Sequence, residues 1–377
     1  MPAPAASASS RHPMAAAATG EVAGALLEAI GAPPDVAVVA VSPHHGDHLA
    51  DVAATVATVL GTAAVVAVQS PGIFAGDRTV ADGPVVSGWA GSVGPARAVH
   101  LTAPAQGTVR GWPDDLAFRV AGALILGDVR SADGAALAAA CDRWAPGAAV
   151  AGGMVAPGAA GGPVLATAAG PVPGGAVALL LGRPGVLDAV GSHGARPFGP
   201  PATVTGADGT RVTRIAAGTA LDFLVRAATA GGLGSFGTAG VHLGVAVREG
   251  PGQAPPTDVV VRTVVAVDRA TGSIDLDGPV PVGATVQCHG RDAASARAAL
   301  EEAVAVDGND GVLGALVFAD ASRRSLPPGG HDDAAVVGQL LDHLPVAGMV
   351  TVGTLGPAGG ATYAQRHAVS VARLRAS

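Results

Sequence analysis

The stretch DVAVVAVSPHHGDHLADVAATVATVLGTAAVVAVQS (35–70) decides the fold. It opens with a hydrophobic run rich in branched side chains, which suits a strand buried on both faces. Pro43 and Gly46 then break the run. Leu49, Val52, Val56 and Val59 recur at three- to four-residue spacing, which predicts a one-faced helix over 47–60. A second apolar run, AAVVAVQS (63–70), follows, and PVVSGWAG (84–91) closes the unit after a glycine-containing loop.

The chain states this unit three times. The second copy is RVAGALILG (119–127), a helix over 131–145, AAVAGGMV (148–155) and AVALLLG (176–182). The third is GVLGALVFAD (311–320), a helix over 331–344, PVAGMVTVG (345–353) and HAVSVARL (367–374). A repeated supersecondary unit sets the architecture before any single residue does. The expected fold is mixed α/β, built from repeated β-α-β-β units, with layered sheets inside and helices outside. Asp47 and Ser131 are the expected caps of the first two helices.

Outside the repeats, residues 1–18 are rich in Ala, Ser and Pro and read as a disordered tail. A helix is expected from Glu21 to Ile30, capped by Thr19, ended by Gly31 and barred from continuing by Pro33 and Pro34. These signals divide the chain into an N-terminal domain over 19–182, a hinge over 183–192 and a C-terminal domain over 193–377. The second domain has a different texture. TVTGADGTRVTRI (203–215) reads as a hairpin, with a helix over 217–229 after it. Strands are expected at 241–248, 258–267, 272–276 and 284–290, then a helix over 293–305.

Composition excludes several classes. The net charge is −7, every basic side chain among the 22 is arginine, and aromatics are 3% of the chain. Phosphate neutralisation and base stacking need what this chain lacks, so nucleic acid is not an expected partner. Cys141 and Cys288 form no CxxC and no disulfide framework, which fits a reducing cytoplasm. Residues 144–182 carry no charge, but glycines and prolines interrupt them too often for a membrane helix.

The chemical motifs are sparse. GLGSFG (232–237) matches GxGxxG, but a helix precedes it and a strand-like segment follows, the reverse of the dinucleotide context. His44, His45, Asp47 and His48 cluster in SPHHGDH (42–48), where Pro43 and Gly46 put His44 in the turn, so no metal is expected; a polar turn capping the helix through Asp47 is the first reading and a histidine edge to a ligand site the second. Asp77, Asp82, Asp128 and Asp320 are scattered acids; the last two follow the first strand of their repeats, where a turn or cap role explains them. In GARPFG (194–199), Arg196 can fork onto a carboxylate or phosphate, or form an ion pair between the halves. No GxSxG, P-loop or HExxH is present, and no catalytic residue or cofactor is assigned; Ser192 beside His193 is the nearest approach to a nucleophile and base.

The strings VSPHH, DGPVVSGWAG, PGAAVAGGM, GARPFGPPATVTGADG, DLDGPVPVGATVQCHGRDA and PVAGMVTVGTLGPAGG together resemble the FIST family, from about residue 20 to 373. The resemblance implies an intracellular signal-transduction sensory module with FIST N and FIST C halves, and a small ligand such as an amino acid. Three cysteine-bearing strings of that family are altered here, to AVQSPG (67–72), GARPFG with Ala195, and FADASRR (318–324). The resemblance therefore gives no support to thiol chemistry.

The leading expectation is a stand-alone cytoplasmic sensor of a small polar ligand, acting through a signalling partner and without a membrane. Its pocket would use the loops after the second strands: Ser70, Gly72, Gly152, Gly153, Gly353 and Thr354, with Arg196 on an anionic group. The alternatives are an interaction scaffold with a large exposed apolar patch and a hydrolase on an αββα frame.

Overall fold

Three sheets share one plan, because the same run of apolar strands and one-faced helices is stated three times. The computed structural model describes residues 3–105, 107–157, 162–230, 241–248, 258–305 and 310–376. The first repeat runs β1 (Ala5–Ser10), α1 (Ala15–Ile30), β2 (Val36–Val41), a 3-10 turn (Pro43–His48), α2 (Leu49–Leu60), β3 (Val65–Gln69), a hairpin of β4 (Ile73–Ala75) and β5 (Thr79–Val80), and β6 (Val86–Gly91). The second runs β7 (Ala96–Leu101), β8 (Gly122–Asp128), α3 (Gly134–Trp144), β9 (Ala149–Val155), a hairpin of β10 (Leu165–Thr167) and β11 (Gly170–Pro171), and β12 (Ala176–Leu181).

The third repeat begins with β13 (Leu187–Ser192) and is then interrupted by an insertion. The insertion comprises β14 (Ala195–Asp208), β15 (Arg211–Ile215), β16 (Gly218–Thr219), α4 (Ala220–Ala230), β17 (Val241–Arg248), β18 (Asp258–Asp268), β19 (Ser273–Leu276) and β20 (Thr285–Arg291). The repeat resumes with α5 (Ala293–Ala305), β21 (Val312–Asp320), a 3-10 turn (Ala321–Ser325), α6 (Asp333–Leu340), β22 (Val346–Thr351), a hairpin of β23 (Thr354–Ala358) and β24 (Ala361–Gln365), and β25 (Val369–Arg375).

The sheets have the orders β1-β6-β2-β3-β10-β11, β7-β12-β8-β9-β23-β24 and β13-β25-β21-β22-β4-β5. In each, the first and second strands of the repeat are parallel and the closing strand is antiparallel to the first. Each sheet then accepts the hairpin of a different repeat. The first repeat's hairpin joins the third sheet, the third repeat's joins the second, and the second repeat's joins the first. This cyclic exchange ties the three units together.

One core is shared by all three sheets. Val38, Val66 and Trp89 meet Leu124, Leu126 and Val177, and Leu316, Phe318 and Met349. Helices cover the outer faces: α1 and α2 on the first sheet, α3 on the second, α5 and α6 on the third. Strands buried on both faces explain why the sequence runs are continuously apolar. The inserted sheet has the order β14-β20-β17-β18-β19-β15-β16, and β14 also pairs with β15, which closes the ring. Its core contains Leu243, Ile274, Cys288 and Leu224. Strand outweighs helix, 43% against 24%, and the described residues of the insertion contribute seven strands and one helix.

Several expectations need correction. The expected tail is ordered from early on: Ala5–Ser10 pairs antiparallel with β6, from Ala5↔Gly91 to Ser10↔Val86. The first helix starts at Ala15 rather than Glu21, with Met14 at its N-cap and no side-chain cap. The expected hinge contains β13, paired with β25 from Leu187↔Leu374 onward. Asp47 lies in the 3-10 turn and His48 is the N-cap of α2. Asp133, not Ser131, caps α3; Ser131 Oγ instead accepts the Gly175 N–H at 2.8 Å. α6 ends at Leu340, short of residue 344.

Candidate functional site

The loops after the second strands do converge, but most of their residues meet protein. Ser70 is fully buried, and its Oγ lies 2.8 Å from both the Gly72 and Val350 carbonyl oxygens. The Val350 N–H donates to the Gly72 carbonyl at 2.7 Å. Gly152 and Gly153 pair with Leu355 and Thr354. A Cβ on Gly153 would lie 2.6 Å from Thr351 Cγ2, and one on Gly152 would collide with the Ile125 carbonyl. These glycines thus permit close packing between strands. Of the six loop residues expected at a pocket, Gly353 and Thr354 border open space.

That space is a groove of about 560 Å³ between α3, the β23–β24 hairpin and the insertion. Arg262 of β18, Asp277, Asp133, Tyr363 and Arg366 share its wall with Gly353 and Thr354. Arg262 extends over bare backbone, since a Cβ on Gly278 would lie 2.5 Å from its Cζ. Its Nε is buried and has no hydrogen-bond partner. Burial lowers the pKa of this guanidinium, with Asp277 and then Tyr363 opposing the shift. Asp277 Oδ1 accepts the Thr263 N–H at 3.0 Å, and Asp133 Oδ1 accepts the Ala136 N–H at 2.7 Å. One oxygen of each carboxylate is therefore fixed by backbone. One guanidinium and two anchored carboxylates on the wall of one groove can hold a small molecule bearing both charges.

Behind the groove lies a buried polar network. Thr263 is next to Arg262 along β18, and its Oγ1 is 2.7 Å from His367 Nε2. His367 Nδ1 is 2.5 Å from Ser322 Oγ, which is also 2.5 Å from Asp320 Oδ1. Arg291 and Arg323 both donate to the His367 carbonyl, each at 3.3 Å. Arg323 also forks onto Asp333 at 2.8 and 2.7 Å, and His331 Nε2 lies 2.9 Å from the same carboxylate. The His242 ring sits 4.8 Å from that of His367, with neither of its nitrogens partnered.

Electrostatics follow from burial. Desolvation first, then neighbouring cationic and imidazole groups, push His193, His242 and His367 down to about 3. Burial alone would raise the Asp333 carboxyl, but Arg323 and His331 hold it below the usual carboxylate range. Burial pushes the Cys141 and Cys288 thiols up to about 12, which removes them as thiolate nucleophiles near neutral pH.

The remaining sequence candidates lie elsewhere. Arg196 is not at the groove: its side chain is 71% exposed and lies 3.6 Å from Asp292. Both residues belong to the C-terminal half, so this pair is not the ion pair between the halves that the sequence offered as the alternative. Asp128 pairs with Arg130 at 2.6 Å, and Asp320 caps the second 3-10 turn through the Ser322 N–H. Ser192 Oγ has no partner, so it forms no pair with His193. GLGSFG lies outside the described residues. Among the described residues no group of three or more His, Cys, Asp or Glu could hold a metal, and no helix is long and apolar enough to cross a membrane. Sequence reasoning missed Arg262, Asp277 and the network around His367. A lone arginine inside the apolar run VVVRTVVAV (259–267) was the available signal, since a charge is uncommon in so apolar a stretch.

Comparison with known proteins fits this architecture. The FIST N domain model matches residues 35–217 and the FIST C domain model matches 220–357. A Mycobacterium tuberculosis protein described as uncharacterized is 32% identical over 347 residues, covering 88% of this chain and 89% of its own length. A Mycobacterium bovis protein with the same description is 33% identical over 352 residues, covering 88% of each. With both domain models matched in order and relatives aligned over most of their length, the chain belongs to the FIST family.

Proposed function

We propose that this protein is a sensor of a small polar metabolite, with an amino acid as the favoured ligand class, bound in the groove between Arg262 and Gly353. FIST domains are linked to signal-transduction sensing, and this reading gives that role a site. The carrying observation is the buried, unpartnered Nε of Arg262 in the wall of a 560 Å³ groove. Arg262 takes the role that the sequence offered to Arg196, fixing a carboxylate. Asp277 and Asp133 receive an ammonium group, and Gly353 lines the same wall, while the Thr354 hydroxyl donates to the Gln365 carbonyl at 3.4 Å. We place the sensor in the cytoplasm, where two buried free cysteines remain reduced, and expect a separate signalling protein to read its state. Calorimetric titration with amino acids and simple carboxylates tests the reading; Arg262→Gln removes the guanidinium and should abolish the heat.

A second reading, a hydrolase, rests on the Ser322–His367 contact beside Asp320. It is weaker because an imidazole held at about 3 is a poor base near neutral pH. A scaffold has less support: among the described residues the large exposed apolar side chains come from separate segments, apart from Val265 and Val267 on one strand.

A further inference from the structure

The SPHHGDH segment lies apart from the Arg262 groove and borders a second one. This second groove has a volume of about 320 Å³ and lies between the start of α1 and the 3-10 turn leading into α2. Ala15 and Ala16 line one side; His44, His45, His48 and Asp51 line the other. α1 has 16 residues, no side-chain cap and no acidic residue in its first turn. The Met14 N–H donates to His12 Nδ1 at 3.1 Å, and the amides that follow carry the positive end of the helix dipole towards the groove.

A second observation points the same way. His45 is 1% exposed and its Nε2 has no hydrogen-bond partner. Burial holds this imidazole below its ordinary pKa, partly offset by a hydrogen bond from the ring to the backbone of His12. A buried donor or acceptor left without a partner at the edge of a polar groove is a place for a ligand atom. The titratable groups around it are His12, His44, His48 and Asp51; the Asp51 carboxylate is 84% exposed and lies 3.6 Å from His48 Nδ1.

The third repeat supplies an internal comparison. α5 precedes β21 as α1 precedes β2, and Asp292 Oδ1 accepts the Ser295 N–H at 2.7 Å at the start of α5. The third repeat provides its own carboxylate at this helix end. The first repeat has Met14 there, 64% exposed.

We propose that the groove at the start of α1 is a binding site for an oxyanion group, a phosphate or a carboxylate, held by the Ala15 and Ala16 amides with His45 and flanked by His44 and His48. The site is independent of the groove at Arg262.

The test is calorimetric titration of the full chain with inorganic phosphate and, separately, acetate, against sodium chloride at equal ionic strength. Met14→Asp places a carboxylate at the N-cap, as Asp292 does in the third repeat. It should weaken the wild-type anion affinity at least tenfold while raising the ligand-free melting midpoint, so loss of binding cannot be ascribed to unfolding. The double substitution His44→Ala with His48→Ala, at two exposed positions, should also weaken binding. Phosphate heat lost in Met14→Asp identifies a phosphate group, and acetate heat lost identifies a carboxylate. Absence of saturable heat from both anions with wild type, or unchanged affinity in Met14→Asp, overturns the proposal.

Discussion

Thr263 Oγ1 lies 2.7 Å from His367 Nε2, and each residue is the chain neighbour of an arginine in the groove wall, Arg262 and Arg366. The candidate ligand groove and the buried network thus share two backbone segments, one from the insertion and one from the third repeat. A ligand that pulls on Arg262 acts on β18 directly, and β18 is joined through Thr263 to His367, Ser322 and Asp320.

Three desolvated imidazoles make stability depend on pH. His193, His242 and His367 are held at about 3 in the folded chain, below their ordinary value of 6.5. Between those limits the unfolded chain binds protons that the folded chain refuses. Their contribution is fully present above the unfolded value and is lost as pH falls through the window, by up to about 1.4 kcal/mol per pH unit for each histidine. The melting midpoint should fall steeply from neutral pH towards pH ~5. His242→Phe removes one of these imidazoles and two unpartnered buried nitrogens, so it should flatten the slope and leave neutral-pH stability equal or higher. A slope identical to wild type in a scan of midpoint against pH would contradict this.

Arg323 and Asp333 are 0% and 2% exposed at their side chains. Asp333→Asn leaves a buried guanidinium without its anion and should cost about 3–5 kcal/mol in denaturant unfolding. Arg97→Ala breaks the pair with Asp115, exposed by 44% and 67%, and should leave the midpoint unchanged. Equal effects for the two substitutions would show that burial does not govern these pairs.

Two glycines should respond in opposite directions. Gly24 lies on the exposed side of α1, and a Cβ there would have nothing within 4 Å, so Gly24→Ala should stabilise by about 0.5–1 kcal/mol. Gly152 sits against the Ile125 carbonyl of the neighbouring strand, so Gly152→Ala must displace a shared sheet. Its loss should exceed about 3 kcal/mol. Thermal melts of both variants decide the matter; a Gly152→Ala midpoint near wild type would mean the strands have room that the packing denies.

Local signals were legible and distant pairings were not. β17 over 241–248 and α5 over 293–305 are bounded as their apolar patterning indicates, because alternation and helix spacing are properties of consecutive residues. β1 was not legible: AASASS lacks branched or aromatic side chains and becomes a strand only by pairing with β6. The hairpin exchange is equally silent, since β4 finds β22 across most of the chain. At the groove, Gly353 and Thr354 were readable as the loop after a second strand. Arg262 comes from the insertion, and only the fold sets it opposite them.

Arg262 is the residue proposed to hold the acidic group of a small ligand. The most direct test of that role is isothermal titration of wild type, Arg262→Gln and Arg196→Gln with a panel of amino acids. Saturable binding of at least one amino acid to wild type and Arg196→Gln is expected, with affinity lost in Arg262→Gln while that variant keeps its fold. Binding of equal strength to folded Arg262→Gln, or no binding of any amino acid to wild type, would contradict that role.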